Sequence, residues 1–367
     1  MKKLLALILA VAMVLSVAAF ASAEGEMAVA MITDYGDITD QSFNQTTYEA
    51  CKAYCENNNI KFAYYKPASD SDADRVASIE QSIEDGYNVI VMPGFAFGAA
   101  IVEVVANEDY ADVIFVGLDV SQGDLGDGFV MPANLYCAVY QEELCGYMAG
   151  YAAVKLGYKH LGFLGGMAVP AVVRYGYGFV QGADAAAAAE GLTDVVVEYV
   201  YGGQFYGDAD ITAYMDTWYQ TKGVEIVFAC GGGIFTSAAE AAAKVGGKVI
   251  GVDVDQKGTI DGLYGEGMTV TSAMKGLAAT VNTVLANVAS GEFVGAYDVL
   301  GLVSATPEEN YVQIPASTQF SDSFTYEDYT ALVAAMFNGE VTVSSDITVP
   351  AASFATVITV NDAGNVK

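Results

Sequence analysis

Ten short, β-rich apolar runs separated by stretches of helical periodicity constrain this chain more than any other feature. They are Met27–Thr33, Lys61–Tyr65, Tyr87–Met92, Asp112–Leu118, His160–Leu164, Val195–Tyr199, Glu225–Ala229, Lys248–Val252, Met268–Ser272 and Tyr297–Val303. Such alternation is the pattern of parallel sheets covered by helices on both faces. Ten strands suit two sheets better than one, and 367 residues are enough for two cores. No Gly/Ser or Pro linker separates two halves and no repeat is visible, so two lobes joined by several short crossovers are expected.

The N-terminus reads as an export leader. Lys2 and Lys3 precede an apolar run from Leu4 to Phe20, and Ala21-Ser22-Ala23 supplies small residues for cleavage. A signal peptide over 1–23 and a mature chain from Glu24 are expected. A transmembrane anchor is the competing reading, but acidic Glu24-Gly25-Glu26 follows at once, with no stop-transfer pattern. Loss of two lysines and no acid would move the formal charge from −30 to −32. No basic patch remains to track phosphates, which disfavours nucleic acid and anionic lipid as partners.

Five cysteines invite a disulfide or metal reading, and the spacings support neither. Cys51 and Cys55 share a helical stripe with Phe43, Thr47, Ala50 and Tyr54, the arrangement of buried thiols acting as small apolar groups. Cys137, Cys145 and Cys230 lack metal-ligand spacing, and His160 is the single histidine. No bound metal and no cofactor are expected.

In open parallel sheets, ligands collect beyond the carboxyl ends of the strands. The first run ends in Thr33-Asp34-Tyr35-Gly36-Asp37-Ile38-Thr39-Asp40-Gln41-Ser42-Phe43-Asn44-Gln45, where Ser42 and Gln45 have capping-box spacing. That spacing puts Phe43 and Asn44 in the first turn of a helix aimed at the crevice. Other strand ends supply Pro93-Gly94-Phe95-Ala96-Phe97, Asp119, Gly165-Gly166-Met167, Gly202-Gly203-Gln204-Phe205, Cys230-Gly231-Gly232-Gly233 and Gly251-Val252-Asp253-Val254-Asp255-Gln256. Aromatic faces stack on flat rings, carboxylates accept from hydroxyl or ring N–H groups, and glycines admit close approach. A neutral, planar, polyhydroxylated ligand would be satisfied. A phosphate would not, since there is no Lys/Arg cluster and no P-loop; the glycine triplet also lacks the further glycine of a dinucleotide fingerprint.

These residues resemble the basic membrane protein (BMP) family of ABC-transporter substrate-binding lipoproteins, which includes purine-nucleoside receptors. The resemblance rests on Thr33-Asp34-x-Gly36-x-Ile38-x-Asp40-x-Ser42-Phe43-Asn44-Gln45, Gly94-Phe95-x-Phe97, Phe163-Leu164-Gly165-Gly166-Met167 with Pro170 and Arg174, Gly178-Phe179 with Gly182, Gly231-Gly232, Gly251-Val252-Asp253-x-Asp255-Gln256 and Ser272-x-Met274-Lys275. It covers essentially the whole mature chain. The first and the last two motifs are specific.

The resemblance implies a type I periplasmic-binding-protein fold: two doubly wound α/β lobes, parallel sheets, and a multi-strand hinge. The implied N-terminal lobe is 24–135 plus 274–294, and the C-terminal lobe 136–273 plus 295–367. It also implies a nucleoside in the inter-lobe cleft, delivered by a monomer to an ABC permease from the periplasm or the outer face of the membrane. Carried over by position, Asp34 and Asn44 contact the base and Phe43 stacks on it. Asp253 accepts from ribose hydroxyls, Lys275 donates nearby, and Gly232 gives backbone room. Phe97, Met167 and Arg174 complete the set, and Phe205, Tyr206 and Phe235 compete to be the second stacking ring. Ala168 replaces the family's acid, Val173-Arg174-Tyr175-Gly176 stands where Arg-Arg-Phe-Glu is common, and no lipobox cysteine precedes Cys51. Other readings are the same fold holding a sugar or signalling molecule, a sensor or adhesin, and a nucleoside hydrolase built on Asp253-Val254-Asp255.

Overall fold

The computed structural model describes residues 26–34 and 36–366. The expected leader, 1–23, lies outside them, as does Tyr35. Thirteen strands are described: β1 Ala28–Ile32, β2 Lys61–Tyr65, β3 Val89–Pro93, β4 Ile114–Leu118, β5 Leu135–Tyr140, β6 His160–Gly165, β7 Val196–Tyr201, β8 Ile226–Cys230, β9 Lys248–Asp253, β10 Thr269–Lys275, β11 Ala296–Leu300, β12 Val312–Gln313 and β13 Thr359–Asn365. The helices are α1 Phe43–Asn58, α2 Asp72–Glu84, α3 Gly98–Val105, α4 Gln122–Leu125, α5 Glu142–Lys155, α6 Pro170–Glu190, α7 Ala209–Asp216, α8 Phe235–Ala243, α9 Lys257–Tyr264, α10 Leu277–Ser290 and α11 Tyr326–Phe337.

Each of the ten apolar runs overlaps a strand, and the strands form two sheets of order β11-β5-β4-β3-β1-β2 and β12-β10-β9-β8-β6-β7-β13. Every pairing is parallel except β10 with β12. Pleating sends alternate residues of a buried strand to opposite layers. On β1, Val29 and Met31 pack with Cys51 and Cys55 of α1 and Val281 and Leu285 of α10. Ala30 and Ile32 pack on the other side with Val76 and Ile79 of α2 and Ile101 and Val104 of α3. The second sheet is sandwiched likewise, Phe163 and Phe228 against α5 and α6, Leu164 and Val227 against α7 and α8. All five cysteines are buried and unpaired, and burial pushes their thiols up.

The expected lobe boundaries shift. Leu135–Tyr140 pairs along β4, and Ala296–Leu300 pairs along β5, so both strands belong to the first sheet. The chain therefore crosses between lobes after Tyr140, after Lys275 and after Leu300. Leu135-Tyr136-Cys137-Ala138-Val139-Tyr140 was not among the ten runs, because its aromatic and small residues give no clean strand period.

Helices α5 and α6 bring the second lobe's chemistry to the cleft. They run parallel and very close, since a Cβ on Gly146 would fall 2.2 Å from the Tyr175 carbonyl oxygen and one on Gly178 2.0 Å from that of Glu143. Both N-termini consequently open on one spot, placing Glu142 and Glu143 beside Arg174 and Tyr175. The carboxylates also meet the positive end of the α5 dipole.

Candidate ligand-binding cleft

The cleft is walled by strand ends from both sheets. Its cavity of about 410 Å3 lies within the range typical of small-molecule sites. Asp34, Phe43, Asn44, Met167, Arg174, Phe205, Gly232, Asp253 and Lys275 all line it. Phe97 does not. It is fully buried in the first-lobe core with Ile101 and Phe115, because the single 3-10 turn Phe95–Phe97 sends its two rings different ways. Phe95 takes the cavity side.

The first-lobe wall is organised by Asp40. Its carboxylate accepts the backbone N–H groups of Ser42 (2.9 Å), Asn44 (2.9 Å) and Gln45 (3.0 Å), and the Asn44 amide at 3.1 Å. Burial nevertheless leaves the Asp40 carboxyl above its ordinary range. The capping box expected from Ser42 and Gln45 is absent: Ser42 makes no side-chain cap, and Gln45 Oε1 instead accepts from Gln41 N (3.1 Å) and Nε2 (2.8 Å). The donors at the start of α1 are thus satisfied from outside the helix, and Phe43 and Asn44 are presented to the cavity. Asn44 Oδ1 is buried and has no hydrogen-bond partner among the described residues.

Phe205 is the better supported of the second-ring candidates. Its ring lies over a bed of glycine, where a Cβ on Gly166 would come within 2.4 Å of it and one on Gly231, at φ +149°, within 2.9 Å. Tyr206 also lines the cavity but is 62% exposed. Phe235 is buried in the second-lobe core.

Lys275 forms the floor. Its ammonium donates to Asp119, lies 3.5 Å from Glu142 Oε1 and 3.6 Å from Asp253 Oδ1, and sits 4.8, 5.5 and 5.7 Å from the ring centroids of Phe43, Tyr140 and Tyr175. Burial opposes its charge, and the three carboxylates outweigh burial, raising its pKa. Arg174 donates from Nε to Glu142 Oε2 at 2.6 Å. Both cations of the cavity wall are therefore engaged by acids, against six lining aspartates: Asp34, Asp37, Asp40, Asp119, Asp124 and Asp253.

Asp119 is the residue that sequence reasoning undervalued. It follows β4 with φ +57°, lines the cavity, and leaves Oδ1 buried and without a hydrogen-bond partner among the described residues. Burial raises its carboxyl to about 6, with Lys275 opposing and Glu142 and Asp253 adding. Its position at a strand end beside Gly117-Leu118 was the available signal. Of the four non-glycine residues with positive φ among the described residues, Asp119 and Asp253 line the cavity and Gln41 contacts Gln256 beside it, and such strain tends to collect at functional sites.

Asp255 turns away from the cavity. Its carboxylate accepts from Ser317 Oγ at 2.6 Å and from Lys257 N at 3.1 Å. It does not converge with Asp253, and no group of metal-ligating residues occurs among the described residues. No described helix is long and apolar enough to cross a membrane.

Comparison with known proteins agrees with this geometry. The family described as ABC transporter substrate-binding protein PnrA-like (Bmp) matches residues 27–340. The chain is 26% identical over 324 residues to the ABC transporter nucleoside-binding protein BmpA of Lactococcus lactis subsp. cremoris, covering 81% of this chain and 88% of that one. A solute-binding protein of an ABC transporter system from Aeropyrum pernix K1 superposes with a TM-score of 0.67 at 20% identity, covering 86% of this chain and 87% of that one. One from Conexibacter woesei gives 0.67 at 21%, covering 87% and 99%.

Proposed function

Because the chain belongs to the Bmp family of PnrA-like ABC transporter substrate-binding proteins, which are extracytoplasmic, non-enzymatic partners of a membrane permease, we propose that its ligand is a nucleoside clamped between the lobes. The carrying observation is that Phe43 of the first lobe and Phe205 of the second line one cavity. A planar base between two rings gains stacking of about 0.5–1.5 kcal/mol per ring beyond area burial.

The polar groups support the same orientation. Asp34 and the unpartnered Asn44 Oδ1 suit a base edge, and Asp253 and Asp119 Oδ1 suit ribose hydroxyls. Lys275 acts through Asp119 and Asp253, since its ammonium already serves three carboxylates. Six lining aspartates with both cations engaged disfavour a phosphate. The Lactococcus relative carries a nucleoside-binding name. Both walls come from one chain, so a monomer is a complete clamp, and ligand shifts the population toward the closed form.

Mass spectrometry of small molecules released on denaturing the purified protein tests the assignment. A nucleoside in near-stoichiometric yield is expected. A sugar, or no release combined with no rise in melting temperature across a nucleoside panel, refutes the ligand and leaves the fold intact.

A further inference from the structure

Two of the three specific motifs, Thr33–Gln45 and Gly251–Gln256, lie in different lobes, and they bond to each other. Ser42 sits at the head of α1 with its capping duty taken by Asp40. Its hydroxyl instead crosses the cleft to Asp253 Oδ2 at 2.6 Å, with Ser42 fully buried and Asp253 nearly so. Beside it, Gln256 anchors Oε1 on its own lobe, accepting from Val252 N at 2.9 Å, and extends Nε2 across to the Gln41 carbonyl at 3.0 Å. Thr259 Oγ1 donates to Gln41 Oε1 at 3.3 Å. Gln41 is held for these contacts at φ +58°, a left-handed conformation that a non-glycine residue adopts only at a cost in strain. Gln45 secures that turn through its two bonds from Gln41.

We propose that Ser42, Gln41, Gln256 and Thr259 form a ligand-independent latch that sets how much of the empty protein is closed. Not one of its hydrogen bonds passes through the cavity's contents. Ser42 is a positioning residue: it acts through Asp253, the carboxylate that also faces the ligand, so one side chain joins lobe closure to ligand capture. Apparent affinity scales with the fraction of protein in the binding-competent state. A hydrogen bond to a charged group, at about 1.5–3 kcal/mol, corresponds to about a 10-fold to 100-fold change in that population. The inference rests on the two-lobe clamp and not on the identity of the ligand.

The test is small-angle X-ray scattering of ligand-free wild type, Ser42→Ala, Ser42→Thr and Thr259→Val, followed by calorimetry with adenosine, inosine, guanosine and uridine. The ligand-free Ser42→Ala protein is expected to be more expanded than wild type and to regain the wild-type radius when saturated. It is expected to bind every accepted ligand about 10-fold to 100-fold more weakly by the same factor, with Ser42→Thr restoring both properties. Thr259→Val, which removes one peripheral bond and no first-lobe atom, is expected to shift both in the same direction by less, and serves alone if Ser42→Ala does not fold. An unchanged radius for Ser42→Ala, or for Thr259→Val where it serves alone, overturns the latch. So does a loss confined to one ligand, which would make Ser42 a ligand contact. The scattering arm uses empty protein, so it stands or falls separately from the nucleoside assignment.

Discussion

Replacing Lys275 by Met removes the one cation shared by Asp119, Glu142 and Asp253 while keeping the apolar stem that packs among Phe43, Tyr140 and Tyr175. Lys275 is 97% shielded and Glu142 wholly so, leaving little solvent to screen the three acids once the ammonium is gone. Removing one partner of a buried pair costs about 3–5 kcal/mol, and the cost should depend on pH. Burial already pushes the Asp119 carboxyl up to about 6, and losing its nearest cation pushes it higher. A carboxyl raised in the folded state is fully stabilising below its unfolded value, and that contribution is lost as pH rises through the folded value. The Lys275→Met penalty is therefore expected to be the full 3–5 kcal/mol near pH 8 and markedly smaller near pH 5. Urea denaturation of ligand-free protein at both pH values measures it. If charge imbalance is the cause, Asp119→Asn in the Lys275→Met background should restore about 1 kcal/mol or more at pH 8. A penalty that does not change with pH, or a double variant less stable than the single one, would refute the reasoning.

Two further outcomes follow from the same geometry. If ionised Asp119 accepts a ligand hydroxyl, affinity should fall below pH 6 by up to about tenfold per pH unit, and Asp119→Asn should flatten that profile in calorimetry. Asp184 clasps the segment after the family match: Thr356 N and Oγ1, Val357 N and Ile358 N donate to it at 2.7, 2.6, 2.8 and 3.2 Å. Burial opposes its charge, but the Thr356 hydroxyl and the backbone donors win and hold its pKa down. The clasp is thus present above the ordinary carboxylate range and loosens as pH falls through the depressed value. Asp184→Ala should free residues 341–366 to limited proteolysis at neutral pH, and continued protection would contradict the clasp.

The sheets were legible because their central strands are buried on both faces and read as apolar runs, and the half-exposed edges β2 and β11 still carry apolar and aromatic residues. β13 was not, since Thr359-Val360-Asn361-Asp362-Ala363-Gly364-Asn365 is an exposed, polar edge held by pairing with β7 and by the Asn361 amide donating to Glu198 rather than by apolar burial. Most of the cleft was legible through motifs, yet motif membership does not say which way a side chain points. Phe95 and Phe97 are two residues apart, and only the turn decides that Phe95 sees the cavity. Ser42 and Gln45 have the spacing of a capping box, but Asp40 accepts both of their N–H groups and leaves the Ser42 hydroxyl to donate to Asp253. Lys275 could be placed near the ligand from sequence, whereas its engagement by three carboxylates drawn from separate strand and helix ends required the assembled fold.

The central claim, a two-lobed clamp closing on a nucleoside, is tested most directly by calorimetric titration of ligand-stripped protein with purine and pyrimidine nucleosides, the corresponding free bases, and ribose. Saturable one-to-one binding of a nucleoside, far tighter than binding of its base or sugar alone, is predicted, because the two rings and the hydroxyl acceptors are engaged together only by the intact molecule. Binding of ribose as tight as that of any nucleoside, or no heat from any of them, would contradict the account.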